Sequence, residues 1–130
     1  MLQREMEGDD ALVADFGSNF GYFSVHAAAR HCRGKVFSVQ RGDAEESDAH
    51  YSGALEHHRR MQKRYNATNN FVCDANMDLH RLHQFFRTSV FFDYQIVMSI
   101  VHWFPLPTQS HLVEFLGKWL TKSRVMFLEP

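Results

Sequence analysis

The sequence predicts an α/β domain, a three-layer sandwich in which helices cover both faces of a doubly wound, mainly parallel five-stranded sheet. Two observations predict it. Five short apolar runs, rich in β-branched and aromatic residues and bounded by Gly, Asn or charge, recur along the chain. Stretches with helical period separate them. Nearly continuous apolar runs suit strands buried on both faces, and strict strand–helix alternation implies right-handed crossovers between parallel strands.

The first strand is expected at Leu12-Val13-Ala14-Asp15-Phe16, closed by Gly17. The connection after it, Asn19 to His31, is rich in Ala and Phe and has no helix breaker beyond Gly21. Val36 to Val39 forms the second strand, introduced by Gly34-Lys35 and followed by Arg41-Gly42-Asp43. In the second connection Tyr51, Leu55, His58 and Tyr65 share one helical face, and Glu56, Arg59, Arg60, Lys63 and Arg64 point away. Ser47-Asp48 is the expected cap of this helix. Phe71-Val72-Cys73 makes the third strand, and Leu79, Leu82 and Phe86 give the third helix its apolar stripe. The fourth strand, Tyr94 to Val101, is the longest and most apolar run, and Asp93 marks its start. Thr108 caps a helix whose Leu112, Phe115, Leu116, Trp119 and Leu120 line one side. Val125 to Leu128 is the fifth strand, running into Glu129-Pro130.

At 130 residues the chain is expected to hold one domain, with residues 1–11 as a lead-in and 12–130 as the core. Lys plus Arg number 14 against 15 for Asp plus Glu, so no net field favours nucleic acid or an anionic membrane. No apolar run reaches the roughly 18 residues that a membrane span needs. The start, Met1 to Glu7, carries both charge signs and no signal-peptide core, which leads us to expect a cytoplasmic protein. Cys32 and Cys73 lie far apart with no C-x-x-C, so neither a disulfide framework nor a zinc ribbon is indicated.

In a doubly wound sheet, ligands bind beyond the carboxyl ends of the strands. The segment after strand one reads Asp15-Phe16-Gly17-Ser18-Asn19-Phe20-Gly21-Tyr22-Phe23-Ser24. Gly17 and Gly21 lack a Cβ and allow a ligand to come close to the turn. Asn19 stands where a G-x-G-x-x-G dinucleotide fingerprint has its middle glycine, which disfavours a dehydrogenase. Asp15 puts negative charge where a pyrophosphate would sit, so the end suits a ligand with positive groups, an ammonium or a sulfonium. The competing reading of Asp15 is a cap or loop organiser.

On these residues the sequence resembles the class I S-adenosylmethionine-dependent methyltransferases, above all in the D-x-G-x-N-x-G-Y-F-S form of their first motif. The resemblance implies strand order 3-2-1-4-5. It implies that Asp15, Gly17, Ser18 and Asn19 hold the methionine part of S-adenosylmethionine, with Gly21 and Tyr22 also at the cofactor. Tyr22, Phe23 and Trp103 are expected to offer π-faces or edges near the cation. Strand two of the family ends in a carboxylate that binds the ribose hydroxyls; here Gln40 takes that position, with amide acceptors in place of charged ones. Asp74-Ala75-Asn76 matches the adenine-contacting segment. Ser99-Ile100-Val101-His102-Trp103-Phe104-Pro105 occupies the fourth motif, placing Ser99 at the cofactor and His102 as the candidate base for an acidic acceptor. His102 as a loop histidine fixing that motif is the competing reading. The family adds a final antiparallel hairpin after strand five, and its absence here implies a core truncated at that point. The uncovered Val125 to Leu128 edge would then invite self-association or a partner.

Nine histidines suggest metal, but His57-His58 and His80-x-x-His83 sit on different crossovers, and no three or four ligands share a spacing. The run His57 to Arg64 reads as a solvated helix face rather than an RNA patch. The expected function is therefore methyl transfer from S-adenosylmethionine to a small-molecule acceptor. A non-catalytic cofactor-binding or scaffold module of a longer protein is the alternative from a different class.

Overall fold

The computed structural model describes residues 10–40, 53–75, 77–98, 100–101 and 104–129. Strands β1 (Leu12–Phe16), β2 (Lys35–Gln40), β3 (Asn70–Asp74), β4 (Phe92–Met98) and β5 (Ser123–Glu129) form one sheet in the order β3-β2-β1-β4-β5. Every pairing is parallel. Helix α1 (Tyr22–His26) runs on into a π-helical turn, Ala27–His31, and is followed by α2 (Ala54–Arg64), α3 (Leu79–Phe86) and α4 (Gln109–Leu120).

Side-chain alternation along β1 sorts the helices into two layers. Val13 packs with Val25, Ala27 and Ala28 from the α1 segment, and Met61 and Tyr65 of the α2 region lie against the same cluster. Ala14 and Phe16 point the other way, into a core with Leu82 of α3 and Phe115 and Trp119 of α4. The Phe16 ring meets Trp119 edge-on at 5.4 Å and Phe85 at 5.5 Å. Residue 15 thus faces the α1 and α2 layer.

Boundaries moved where hydrogen bonds outvote apolarity. Pairing of β4 with β5 begins at Phe92, whose N–H donates to the Lys122 carbonyl, and ends at Met98 opposite Glu129, short of Val101. The Asp93 carboxylate accepts the Leu12 N–H at 2.8 Å and so joins the amino ends of β4 and β1. Helix α2 starts at Ala54 after Gly53, at φ 78°, and not from Ser47-Asp48, which lies outside the described residues. Thr108 caps α4 by accepting the His111 N–H, as expected, and Asp78 caps α3 through the Arg81 N–H. No helix among the described residues is long and apolar enough to cross a membrane.

One polar network crosses the otherwise apolar α4 side. Gln95 is fully buried; its amide oxygen accepts from Trp119 Nε1 at 2.9 Å, and its nitrogen donates to Ser123 Oγ at 2.8 Å. Satisfied on both ends, it locks α4 to β4 and β5. Gln95→Leu strands a buried indole N–H and is expected to cost about 2 kcal/mol, read as a lowered midpoint of urea unfolding.

Candidate functional site

Residues 17–21 leave the end of β1 through three left-handed positions in alternation: Gly17 at φ 71°, Asn19 at 52° and Gly21 at 87°. Glycine takes such angles freely, and asparagine is among the few other residues that tolerate them. The loop is tied to its neighbours by backbone groups. Gly17 N–H and Ser18 N–H both donate to the Val39 carbonyl, at 2.9 and 3.2 Å, and Gly21 N–H returns to the Ser18 carbonyl at 2.8 Å.

The ends of the other strands close round this loop. Asn19 N–H donates to Gln40 Oε1 at 2.5 Å, and the Gln40 carbonyl accepts from Ala75 N–H at 3.0 Å. Asp74, exposed, pairs with Gln40 at the last rung of β2 and β3. Beyond β4, Ile100 lies so close to Gly17 that a Cβ there would sit 2.4 Å from Ile100 Cγ2. Gly21 is pressed against His58 of α2 in the same way, with a Cβ falling 2.4 Å from the imidazole Cγ. Neither glycine admits a side chain, by backbone angle or by space.

Asp15 sits beneath the loop, 3% exposed. Its Oδ2 accepts from the Ser24 hydroxyl at 2.5 Å, and Ser24 is itself fully buried in the first turn of α1. Gly21, the residue that opens the helix, has no side chain to cap it, so Asp15 serves that end from the strand. Burial pushes its carboxyl up to about 6, and the Ser24 hydroxyl and backbone bonds offset part of that rise.

Three buried side-chain polar atoms among the described residues have no hydrogen-bond partner: Ser18 Oγ, Asn19 Oδ1 and His58 Nδ1. All three lie in this loop or on the ring packed against it. Buried polar groups in native proteins are nearly always paired, so such a concentration asks for an explanation.

Of the residues expected at the site, Asp15, Gly17, Ser18, Asn19, Gly21, Gln40, Asp74 and Ala75 form one connected patch at the carboxyl edge of β1, β2 and β3. Tyr22 does not join it. Its side chain is 63% exposed, and its ring lies against Phe23 and His26. Ser99 and His102 lie outside the described residues, as do Asn76, Trp103 and Asp43. Sequence reasoning assigned no site role to His58, Ile100 or Ser24. For His58 the signal was there, a histidine on the apolar face of an amphipathic helix. Among the described residues no three His, Cys, Asp or Glu side chains are placed to hold a metal ion. A shallow depression of about 490 Å³ lies at the opposite, amino end of the sheet, lined by Leu12, Arg33, Lys35 and Asn69 among others.

No protein-family model matches the chain, and no curated protein matches it in sequence. Solved structures do match. Coclaurine N-methyltransferase, bound to N-methylheliamine and SAH, aligns with a TM-score of 0.57 at 19% identity, over 89% of this chain and 29% of that one. Precorrin-6y C5,15-methyltransferase from Geobacter metallireducens GS-15 gives 0.57 at 17% identity, over 89% of this chain and 65% of that one. An O-methyltransferase family protein from Burkholderia thailandensis gives 0.57 at 13%, over 87% and 30%. The chain spans less than two thirds of each of these proteins. The likeness is one of fold, the Rossmann-like α/β fold that these methyltransferases share.

The raised Asp15 pKa has a definite sign. A carboxyl that holds its proton more tightly when folded stabilises the fold fully below its ordinary value of 3.8, and that contribution is lost as pH rises through about 6. Relative to Asp15→Asn, the wild-type chain is therefore expected to lose stability between about pH 4 and pH 7. The loss is on the order of 2–3 kcal/mol, read from urea unfolding of both chains across that range.

Proposed function

We propose that this chain is the S-adenosylmethionine-binding core of a methyltransferase that acts on a small molecule. The observation that carries the proposal is the loop from Gly17 to Gly21. Two buried acceptors without partners, Ser18 Oγ and Asn19 Oδ1, stand above a buried carboxylate at the central strand end. That donor set fits the amino-acid end of the cofactor: amide and carboxylate oxygens suit an ammonium, and a serine hydroxyl can donate to a carboxylate. The fold supports it, since one solved structure with this fold is a methyltransferase holding SAH.

In this reading Asp15, Gly17, Ser18 and Asn19 hold the methionine part, Gly21 sets the turn, and Gln40 meets the ribose. Asp74 and Ala75 border the adenine, and Ser99 contributes from the segment after β4. The bound sulfonium supplies an already activated methyl group. What remains for the protein is to orient the acceptor in line, keep water away and, for an acidic nucleophile, take up a proton. His102 is the residue proposed for that proton. Neither Cys32 nor Cys73 is in a disulfide, which suits a reducing compartment, and we keep the cytoplasm as the proposed location.

One observation favours a second reading, a non-catalytic module or scaffold that holds the cofactor only weakly. The Gln40 amide oxygen, which replaces the ribose-binding carboxylate, already accepts the Asn19 N–H. A neutral oxygen sharing its lone pairs offers the ribose hydroxyls less than a carboxylate does. Binding with no methyl transfer to any acceptor in the full-length protein would select this reading.

Calorimetric titration with S-adenosylhomocysteine, with NADH as control, tests the site without an acceptor. Micromolar binding is expected, lost in Asp15→Ala and weakened in Asp74→Ala, at an exposed position, while both variants stay folded by circular dichroism. Binding retained in both variants would overturn the site, and binding of NADH in place of S-adenosylhomocysteine would revive a dehydrogenase.

A further inference from the structure

His58 has features that a filler of helix α2 would not need. It is fully buried, although its neighbours His57 and Arg59 are exposed. Its Nε2 lies 2.9 Å from Asn70 Oδ1. Asn70 is itself oriented, because its nitrogen donates to the Val36 carbonyl at 3.1 Å and to Ser38 Oγ at 2.7 Å. Its oxygen therefore faces His58 as an acceptor, and it also accepts from Gln62 Nε2 at 3.1 Å. An acceptor opposite Nε2 assigns the ring proton to Nε2 and leaves Nδ1 a bare lone pair.

That bare nitrogen is buried and has no partner. It lies on the part of the ring pressed against Gly21, where a Cβ would fall 2.7 Å from Nδ1 and 2.5 Å from Cδ2. Leucine or methionine at this place would fill the volume without burying an unpaired acceptor. Burial also holds the imidazole below its ordinary pKa, which favours the neutral ring and costs the fold stability only as pH falls below the ordinary value of 6.5. What imidazole adds over an aliphatic chain is a flat surface whose plane is set by one directed hydrogen bond.

The connections run on from Gly21. Its carbonyl accepts the Val25 N–H at 2.9 Å, in the turn that carries Ser24 to Asp15. Its own N–H bonds the Ser18 carbonyl, in the loop that carries the unpaired Ser18 and Asn19 atoms.

We propose that His58 is a positioning residue of the cofactor loop: held in plane by Asn70, its ring clamps Gly21 and so sets the loop conformation that receives the cofactor. The proposal rests on the S-adenosylmethionine reading for its ligand, but not for its effect on the loop. It acts through Gly21 and touches no reacting atom.

The test compares the wild-type chain with His58→Leu, His58→Phe and His58→Gln. Leucine and phenylalanine keep bulk and lose the donor, whereas glutamine can place an N–H near the position of Nε2. Two readouts are taken, the affinity for S-adenosylhomocysteine and the backbone amide resonances of residues 17–21 without ligand. We expect His58→Leu and His58→Phe to lose about ten-fold in affinity, near the worth of one hydrogen bond, with shifted loop resonances. His58→Gln should recover most of both, which a merely structural role would not do. Affinity and loop resonances unchanged in whichever of the two apolar variants folds, or a glutamine variant no better than they are, would overturn the proposal. If the wild-type chain does not bind S-adenosylhomocysteine, the cofactor reading fails. The loop resonances, shifted by leucine or phenylalanine and restored by glutamine or not, still decide the role of His58.

Discussion

A carboxylate buried at the end of the central strand is the constraint on which the candidate site is built. Asp15 is buried on all sides, and a charge there persists only if donors reach it. Ser24 supplies them, so the first turn of α1 must start directly above the strand end. Only a short path can bring the chain there, and that path is the loop from Gly17 to Gly21 with its left-handed residues. Ile100 and His58 then close in on the two glycines, where no side chain could stand. Loop conformation, helix position and the approach of neighbouring elements follow from a single charged group.

The two helical layers divide the work differently. On the α3 and α4 side, aromatic packing around Trp119 and the Gln95 network secure the central strands to β5. All polar atoms of that network are used. On the α1 and α2 side, the packing near the loop retains atoms that are not: Ser18 Oγ, Asn19 Oδ1 and His58 Nδ1. Among the described residues, unsatisfied buried side-chain atoms gather at one loop of one layer, an uneven distribution of cost. Such local violations of otherwise consistent rules are where function is expected.

Parallel pairing and the strand–helix alternation could be read from the sequence because burial on both faces writes continuous apolar runs. The strand order came only with the family resemblance, and the sorting of helices into layers only with the structure. Strand β1 is the clearest case, Leu12–Phe16 as expected. Strand ends were harder, since they depend on partners. Ser123 is polar and reads as loop, yet it begins β5 because it lies opposite Phe92 and bonds Gln95. The left-handed glycines and Asp15 were legible as local chemistry. The contact of His58 with Gly21 was not, because it joins two crossovers through the third dimension. Nor was the π-helical turn after α1, which the Cys32 N–H closes by donating to the Ala27 carbonyl.

The proposed binding surface is the carboxyl edge of β1, β2 and β3, rather than the depression at the amino end of the sheet. The most direct measurement is an amide correlation spectrum of the chain recorded with and without S-adenosylhomocysteine. Shifts concentrated at Gly17, Ser18, Asn19, Gly21 and Ala75 are expected. Shifts gathered instead at Leu12, Arg33, Lys35 and Asn69, or none at saturating ligand, would contradict that surface.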